Sequence, residues 1–367
     1  MAKVAILRCD DYTEGKVFNA VKNAVGLIGG IDLFVKPGMN VLLKPNLLSP
    51  HSAEEAVTTH PEVIRAVARA AKEAGGIVSL GDSPGGYGNN IDDILEKSGV
   101  GTVAAEEGIE IKKFTTSKHI EGIPISRHIL DADCVISIPK LKTHSVTVLT
   151  AAVKNMFGSV VGLYKAECHS RAPKGAAFAD IIARIYSMAR PHLTVVDGIL
   201  GMEGDGPSAG APRKINAVIA GSDAVAIDAC IAKIIGIKPL DVPITKAAYA
   251  YGLGEADMSF IKVLGDNIED FVIKDFKLPQ TTLLSILPMA VLGIVASLVK
   301  FKPYIDGAVC RRCNLCKTVC QVNCIRIEKG YCGIDYKKCI RCLCCHEICP
   351  YKAIGIKRNI LTKMVWG

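Results

Sequence analysis

Residues 133–144 read DCVISIPKLKTH: a short apolar run, Cys134 to Ile138, followed by a proline, two lysines and a histidine. A run of this length bounded by turn residues reads as a buried strand, and its end concentrates positive charge. Working outward, Val4–Leu7, Val41–Leu43, Ile77–Leu80, Leu193–Val196 and Ile215–Ile219 read as further strands. Pro61–Ala74, Ala177–Ala189 and Ala224–Ile235 read as helices. Strand-then-helix order predicts an α/β domain over residues 1–276 with a mostly parallel sheet. In such sheets ligands bind beyond the carboxyl ends of the strands, so the polar residues after each strand become the candidate site.

The chain has 367 residues, 50% hydrophobic and 22% charged, which excludes a disordered protein and predicts two or three domains. Met1 to Asp10 form no basic and apolar leader, so a cytoplasmic protein is expected, and its 15 cysteines are not expected to pair as disulfides. Eleven of them fall between Cys310 and Cys349. Residues 1–299 carry 30 Lys+Arg against 32 Asp+Glu, or −2, while residues 300–367 carry 14 against 4, or +10. A second, basic and cysteine-rich unit therefore occupies about 303–358, with a linker at 277–302 and a tail at 359–367. Within the linker, Thr281 to Val299 carry no charge. The run is long enough for a ~30 Å hydrocarbon layer. A span would, however, put the two units on opposite sides, and Pro288 and Gly293 interrupt it. The expected form is a buried apolar helix or two short ones between the units. Association with a membrane surface is the alternative.

Cys310, Cys313, Cys316 and Cys320 follow C-x2-C-x2-C-x3-C, and Cys339, Cys342, Cys345 and Cys349 repeat it, with Pro350 after the last. The segment resembles a two-cluster bacterial-type ferredoxin domain of small α+β form. In that arrangement three close thiolates hold one corner of a cubane and the fourth ligand comes from the other run. The resemblance implies that Cys310, Cys313, Cys316 and Cys349 hold one 4Fe-4S cluster, and Cys339, Cys342, Cys345 and Cys320 the other. Zinc is the rival metal, but zinc motifs favour two separated pairs. The Pro-x-x-Ala-Ile that follows the fourth cysteine is met by Pro350, Ala353 and Ile354, whereas the first run has Gln321 and Cys324. Cys324, Cys332 and Cys344 are surplus thiols, Cys324 being expected to pack as a small apolar residue.

In the large domain the strand ends carry Lys44, Asn46, His60, Lys140, Lys142 and His144, with Lys154, Asn155, Gly158 and His169 downstream. If convergent, these lysines and histidines favour an anionic small-molecule substrate. Thr59 or His60 competes for a simpler role, capping the helix from Pro61. Gly81-Asp82-Ser83-Pro84-Gly85-Gly86 lacks the spacing of a dinucleotide loop. Asp197, Glu203 and Asp205 have the chemistry for a divalent cation, though Asp and Gly are also ordinary turn residues. Asp223 reads as a helix cap; Cys168, beside His169, is a weak candidate nucleophile; Cys9, Cys134 and Cys230 read as core.

These motifs together resemble the family known as domain of unknown function 362, often fused to a two-cluster ferredoxin. The matching residues are Lys44-Pro-Asn46, Thr58-Thr-His60-Pro61, Pro139-Lys140-Leu-Lys142-Thr-His144, Lys154-Asn155-x-x-Gly158, His169, Asp197-Gly198, Gly206-Pro207-x-x-Gly210 and Asp223 with Asp228. The resemblance implies the fold and the fusion but no reaction. The leading expectation is an oxygen-sensitive oxidoreductase: two 4Fe-4S clusters relay electrons to an anionic substrate or cofactor, with Lys140, Lys142, His144, Lys154 and His169 in catalytic roles and Lys44, Asn46, His60, Asn155 and Asp197 binding substrate. A small acidic ferredoxin- or flavodoxin-type protein is the expected electron partner. The rival is an electron-transfer or cluster-delivery protein whose large domain docks another protein. No motif indicates a flavin, and basic pairs without interleaved aromatics argue against nucleic acid.

Overall fold

The computed structural model describes residues 1–84, 91–162, 164–172, 175–281, 302–328 and 331–357. The apolar run from 282 onward, the 359–367 tail and the Gly85–Gly86 turn lie outside the described residues.

The large domain is an α/β fold around a ten-stranded mixed sheet. Its strands are β1 (Ala2–Arg8), β2 (Asn40–Pro45), β3 (Ile77–Asp82), β4 (Glu110–Lys113), β7 (Cys134–Ile138), β8 (Lys140–His144), β9 (Val148–Thr150), β10 (Leu193–Glu203), β11 (Ala211–Gly221) and β12 (Ile261–Gly265). A separate hairpin holds β5 (Ser117–Ile120) and β6 (Ile123–Ser126). The order across the sheet is β12-β1-β11-β10-β7-β2-β3-β4, with β8 beside β10 and β9 beyond it. Pairing is parallel from β10 through β7, β2 and β3 to β4. It is antiparallel where β11 meets β10 and β1, because the turn from Glu203 to Ala211 is too short for a crossover.

Side chains alternate between two cores, one on each face. In β2, Leu42 packs on one side while Val41 and Leu43 pack on the other. The helix Pro61–Glu73 covers the second face with Val63, Ile64 and Val67; the helices Gly175–Met188 and Ala224–Ile234 cover the first. The acidic loop begins later than its glycines suggested, since β10 continues to Glu203. The lysine-rich stretch after Pro139 is itself a strand, β8, buried along its whole length.

The cysteine-rich unit has two antiparallel ladders, β13 (Lys302–Ile305) with β16 (Ile354–Lys357) and β14 (Ile325–Glu328) with β15 (Tyr331–Ile334). A short helix lies within each cysteine run, Leu315–Thr318 and Cys344–Ile348. The unit sits on the large domain through Ser208 Oγ, which donates to Glu347 O at 2.9 Å, and Lys352, 3.2 Å from Glu55.

Gly158 shows how tightly the strand ends are packed. A Cβ there would strike the Asp82 carboxylate and stand 2.7 Å from Lys44 Nζ, inside a buried ion pair of 2.8 Å. Separating such a pair costs about 3–5 kcal/mol. Gly158→Ala should lower the urea-unfolding free energy by about that amount, whereas Gly15→Ala, with nothing within 4 Å, should leave it unchanged or slightly higher.

Candidate functional site

Two lysine–carboxylate pairs form the floor. Lys44 ends β2 and meets Asp82 at the end of β3, and Lys140 opens β8 and meets Asp197 of β10 at 2.8 Å. Burial lowers the pKa of both lysines, and the facing carboxylates oppose the shift. Asp197 is fully engaged: it accepts from Tyr12 Oη at 2.7 Å, Lys140 Nζ at 2.8 Å and the His60 N–H at 2.8 Å. Tyr12 stacks on His60 at 3.5 Å between ring centroids. His60 caps its helix by accepting the Glu62 N–H on Nδ1, and burial pushes its pKa down to about 4.

Lys142 has no carboxylate within ion-pair distance among the described residues. Its Nζ donates to Asn46 Oδ1 at 2.8 Å and Val57 O at 2.6 Å, and burial, with Lys154 and Lys140 nearby, drives its pKa well down. Asn155 Nδ2 donates to Lys44 O at 3.1 Å and Ser137 Oγ at 2.9 Å, tying β2 to β7.

Above this floor a cavity of about 90 Å³ separates the two units. The large domain lines it with Asn46, Asp82, Thr150, Lys154, Lys165 and His169, and the cysteine-rich unit with Val319, Cys344, Glu347 and Ile348. Glu347 Oε1 stands 3.3 Å from His144 Nε2, and Oε2 stands 3.9 Å from His169 Nε2. His144 Nδ1 accepts the N–H groups of Val146 at 3.0 Å and Thr147 at 3.4 Å. That fixes the neutral tautomer with its proton on Nε2, directed to Glu347. Burial pushes His144 down to about 4 and lowers His169 as well. Burial alone would raise Glu347, but His144, His169 and Lys154 outweigh it and hold the carboxylate ionised. Lys165 Nζ donates to Ser83 O and Oγ, at 2.6 and 2.5 Å, and burial pushes its pKa down to about 7.

Two further cavities lie within the cysteine-rich unit. Cys310, Cys313, Cys316 and Cys349 all line one; Cys320, Cys339, Cys342 and Cys345 all line the other, joined there by Cys324 and Cys344. Each fourth thiol thus comes from the opposite run, which is what a cluster held across the two motifs requires. Cys324 Sγ lies 3.4 Å from Cys320 Sγ, and Cys344 also borders the cavity between the units.

The structure brings Lys154, Asn46, Asn155 and His169 to one cavity, with His144 behind Glu347. Lys44, Lys140, Asp197 and His60 stand beneath or beside it, engaged with one another. Asp197, Glu203 and Asp205 do not converge: Glu203 accepts the Lys277 N–H and Asp205 the Gln280 N–H. Cys168 is buried and its thiol pushed up to about 12. Asp223 caps its helix, and Asp228 accepts the N–H groups of Ala152 and Val153, burial raising it to about 7. Sequence reasoning passed over Thr150, Lys165, Tyr12 and Glu347, and read Asp82 only as part of a glycine-rich turn. Glu347 alone had a visible signal, as the single acid inside either cysteine run.

The family described as Domain of unknown function (DUF362) matches residues 41–233. The thylakoid-associated protein sll1697 of Synechocystis sp. (strain ATCC 27184 / PCC 6803 / Kazusa) is 34% identical over 284 residues, covering 76% of this chain and 88% of that protein. Among solved structures, the lactate racemase apoprotein of Thermoanaerobacterium thermosaccharolyticum is 12% identical with a TM-score of 0.38, over 61% of this chain and 55% of that one. A match across more than half the chain, together with a relative at 34% identity, establishes that the chain belongs to the family described as domain of unknown function 362.

Proposed function

We propose that the protein is an iron–sulfur oxidoreductase in which two 4Fe-4S clusters carry electrons to an anionic small molecule in the cavity between the two units. One observation carries the reading: Cys344 borders both the cavity of Cys320, Cys339, Cys342 and Cys345 and the cavity that Lys154 and His169 line. Bound clusters would supply one electron at a time at low potential. A small acidic ferredoxin- or flavodoxin-type protein suits the basic cysteine-rich unit as external donor. A cavity of this size favours a small ligand over the rival reading, in which the large domain docks a protein.

In this scheme Lys154 offers its charge to the ligand. Lys165, with a pKa near 7, gives or takes a proton at Nζ. His169 and His144 keep Glu347 ionised and in place, and the Lys44–Asp82 and Lys140–Asp197 pairs hold the strand ends that present these groups. A second aspect concerns location. The relative in Synechocystis is named for its association with thylakoids, and the run 281–299 carries no charge that would oppose contact with a membrane. The protein should therefore float with liposomes, and a variant with two lysines in place of Leu284 and Val291 should remain at the bottom of the gradient.

Anaerobically reconstituted protein should hold about eight iron and eight sulfide per chain. Its dithionite-reduced clusters should reoxidise when a cavity ligand is added, about a hundredfold more slowly in Lys154→Met. Zinc in place of iron, or clusters silent toward every anion that binds, would overturn the proposal. Lys165 also predicts a pH dependence. Its folded pKa of about 7 lies below the unfolded 10.5, so between these values the unfolded chain holds the extra proton and stability rises with pH. Lys165→Met should lose that rise, so the wild-type minus variant difference in unfolding free energy should grow over pH 7–10.5 and level off above it.

A further inference from the structure

Among the described residues, three polar groups of the cavity between the units lack a hydrogen-bond partner: Thr150 Oγ1, Lys154 Nζ and Glu347 Oε1, the last standing 3.3 Å from His144 Nε2. Thr150, 3% exposed at the end of β9, has no partner for Oγ1. Lys154, four residues on, has the Phe157 ring 5.8 Å away but no hydrogen bond or ion pair among the described residues. Both line the same cavity. A buried hydroxyl without a partner costs free energy, and so does a half-buried ammonium without a counter-ion.

The surrounding charges do not balance. Lys44, Lys140, Lys142, Lys154 and Lys165 gather here against Asp82, Asp197 and Glu347, and two of those carboxylates already face Lys44 and Lys140. Glu347 is left to answer Lys154 while standing against His144 and His169, and Lys142 and Lys165, with no carboxylate in ion-pair distance among the described residues, have their pKa values lowered by burial. A carboxylate ligand resolves both problems, since one oxygen can accept from the Thr150 hydroxyl and the other from Lys154, and its charge offsets the excess. A neutral ligand would satisfy the hydroxyl only. A phosphate dianion would bring two charges into a space that Glu347 already shares. Size limits the ligand further: about 90 Å³ holds roughly six waters, or an organic acid of about four to eight non-hydrogen atoms.

We propose that Thr150 and Lys154 form the carboxylate subsite for a short-chain organic acid in this cavity. The inference rests on the reading of the cavity as the ligand site, and its test needs no electron transfer. Full-length protein with oxidised clusters is titrated calorimetrically with acetate, glycolate, acetamide and phosphate. Acetate and glycolate should bind at least tenfold more tightly than acetamide and more tightly than phosphate. Lys154→Met should weaken acetate by about 10–100-fold and Thr150→Val by about tenfold. Because Thr150→Val removes an unpaired buried hydroxyl, it should also raise the thermal midpoint of the ligand-free protein, a pairing of tighter fold and weaker binding that a purely structural threonine would not show. Acetate no tighter than acetamide, tighter phosphate, or unchanged acetate affinity in Thr150→Val each overturns the subsite. If acetate binds as expected while reduced clusters stay silent toward every anion that binds, the redox proposal falls and the subsite stands.

Discussion

A lysine taken out of water at a strand end keeps its charge most readily where a carboxylate meets it, and two such meetings organise this molecule. Lys44 with Asp82 joins β2 to β3, and Lys140 with Asp197 joins β8 to β10, at 2.8 Å in both cases. Each partner is almost fully buried, so loss of either would strand a charge in a medium that solvates it poorly. The glycine at 158 and the hydroxyl of Tyr12 are fitted around these pairs, and the cavity stands on them. The pairs contribute less to net stability than to position: desolvation consumes most of their attraction, but the geometry they impose is unique.

That division clarifies what the amino-acid order could reveal. Strand positions were legible because period and length are local properties; Cys134–Ile138 is a strand with the bounds its apolar run suggested. The helices followed from cap residues and periodicity within a residue or two. The antiparallel β10–β11 pairing was less visible, since Gly201 to Gly210 read as a loop while Gly201, Met202 and Glu203 belong to β10. The family motifs marked the neighbourhood of the site, yet they did not separate its floor from its lining. Lys44 and Lys154 look alike in sequence, and they differ only because Asp82, far along the chain, reaches one and not the other. The two cysteine runs were legible from spacing, and the resemblance to a ferredoxin domain implied how they share their fourth thiols. Thr150 was not, because a threonine in a short strand carries no mark until its neighbours leave its hydroxyl alone.

The histidines illustrate the same point from the side of protonation. Three of them fall among lysines, which suggested a cationic cluster. In the folded protein burial removes the proton that charge would need, and His144 turns Nδ1 to backbone N–H groups, leaving a single donor directed at Glu347. The site is thus a set of fixed dipoles around a few charges, a form that responds to a bound anion with little reorganisation.

Glu347 lies 178 residues beyond His169, the last large-domain residue to line the cavity. At roughly 5–20 residues per second, a ribosome would need on the order of 10–35 s to travel between them. Strands β10, β11 and β12 are made within that interval, so the strand-end face that carries Lys154 is complete in sequence only toward its close. The carboxylate arrives last, and the cavity gains its fourth wall only after every strand of its floor has been synthesised.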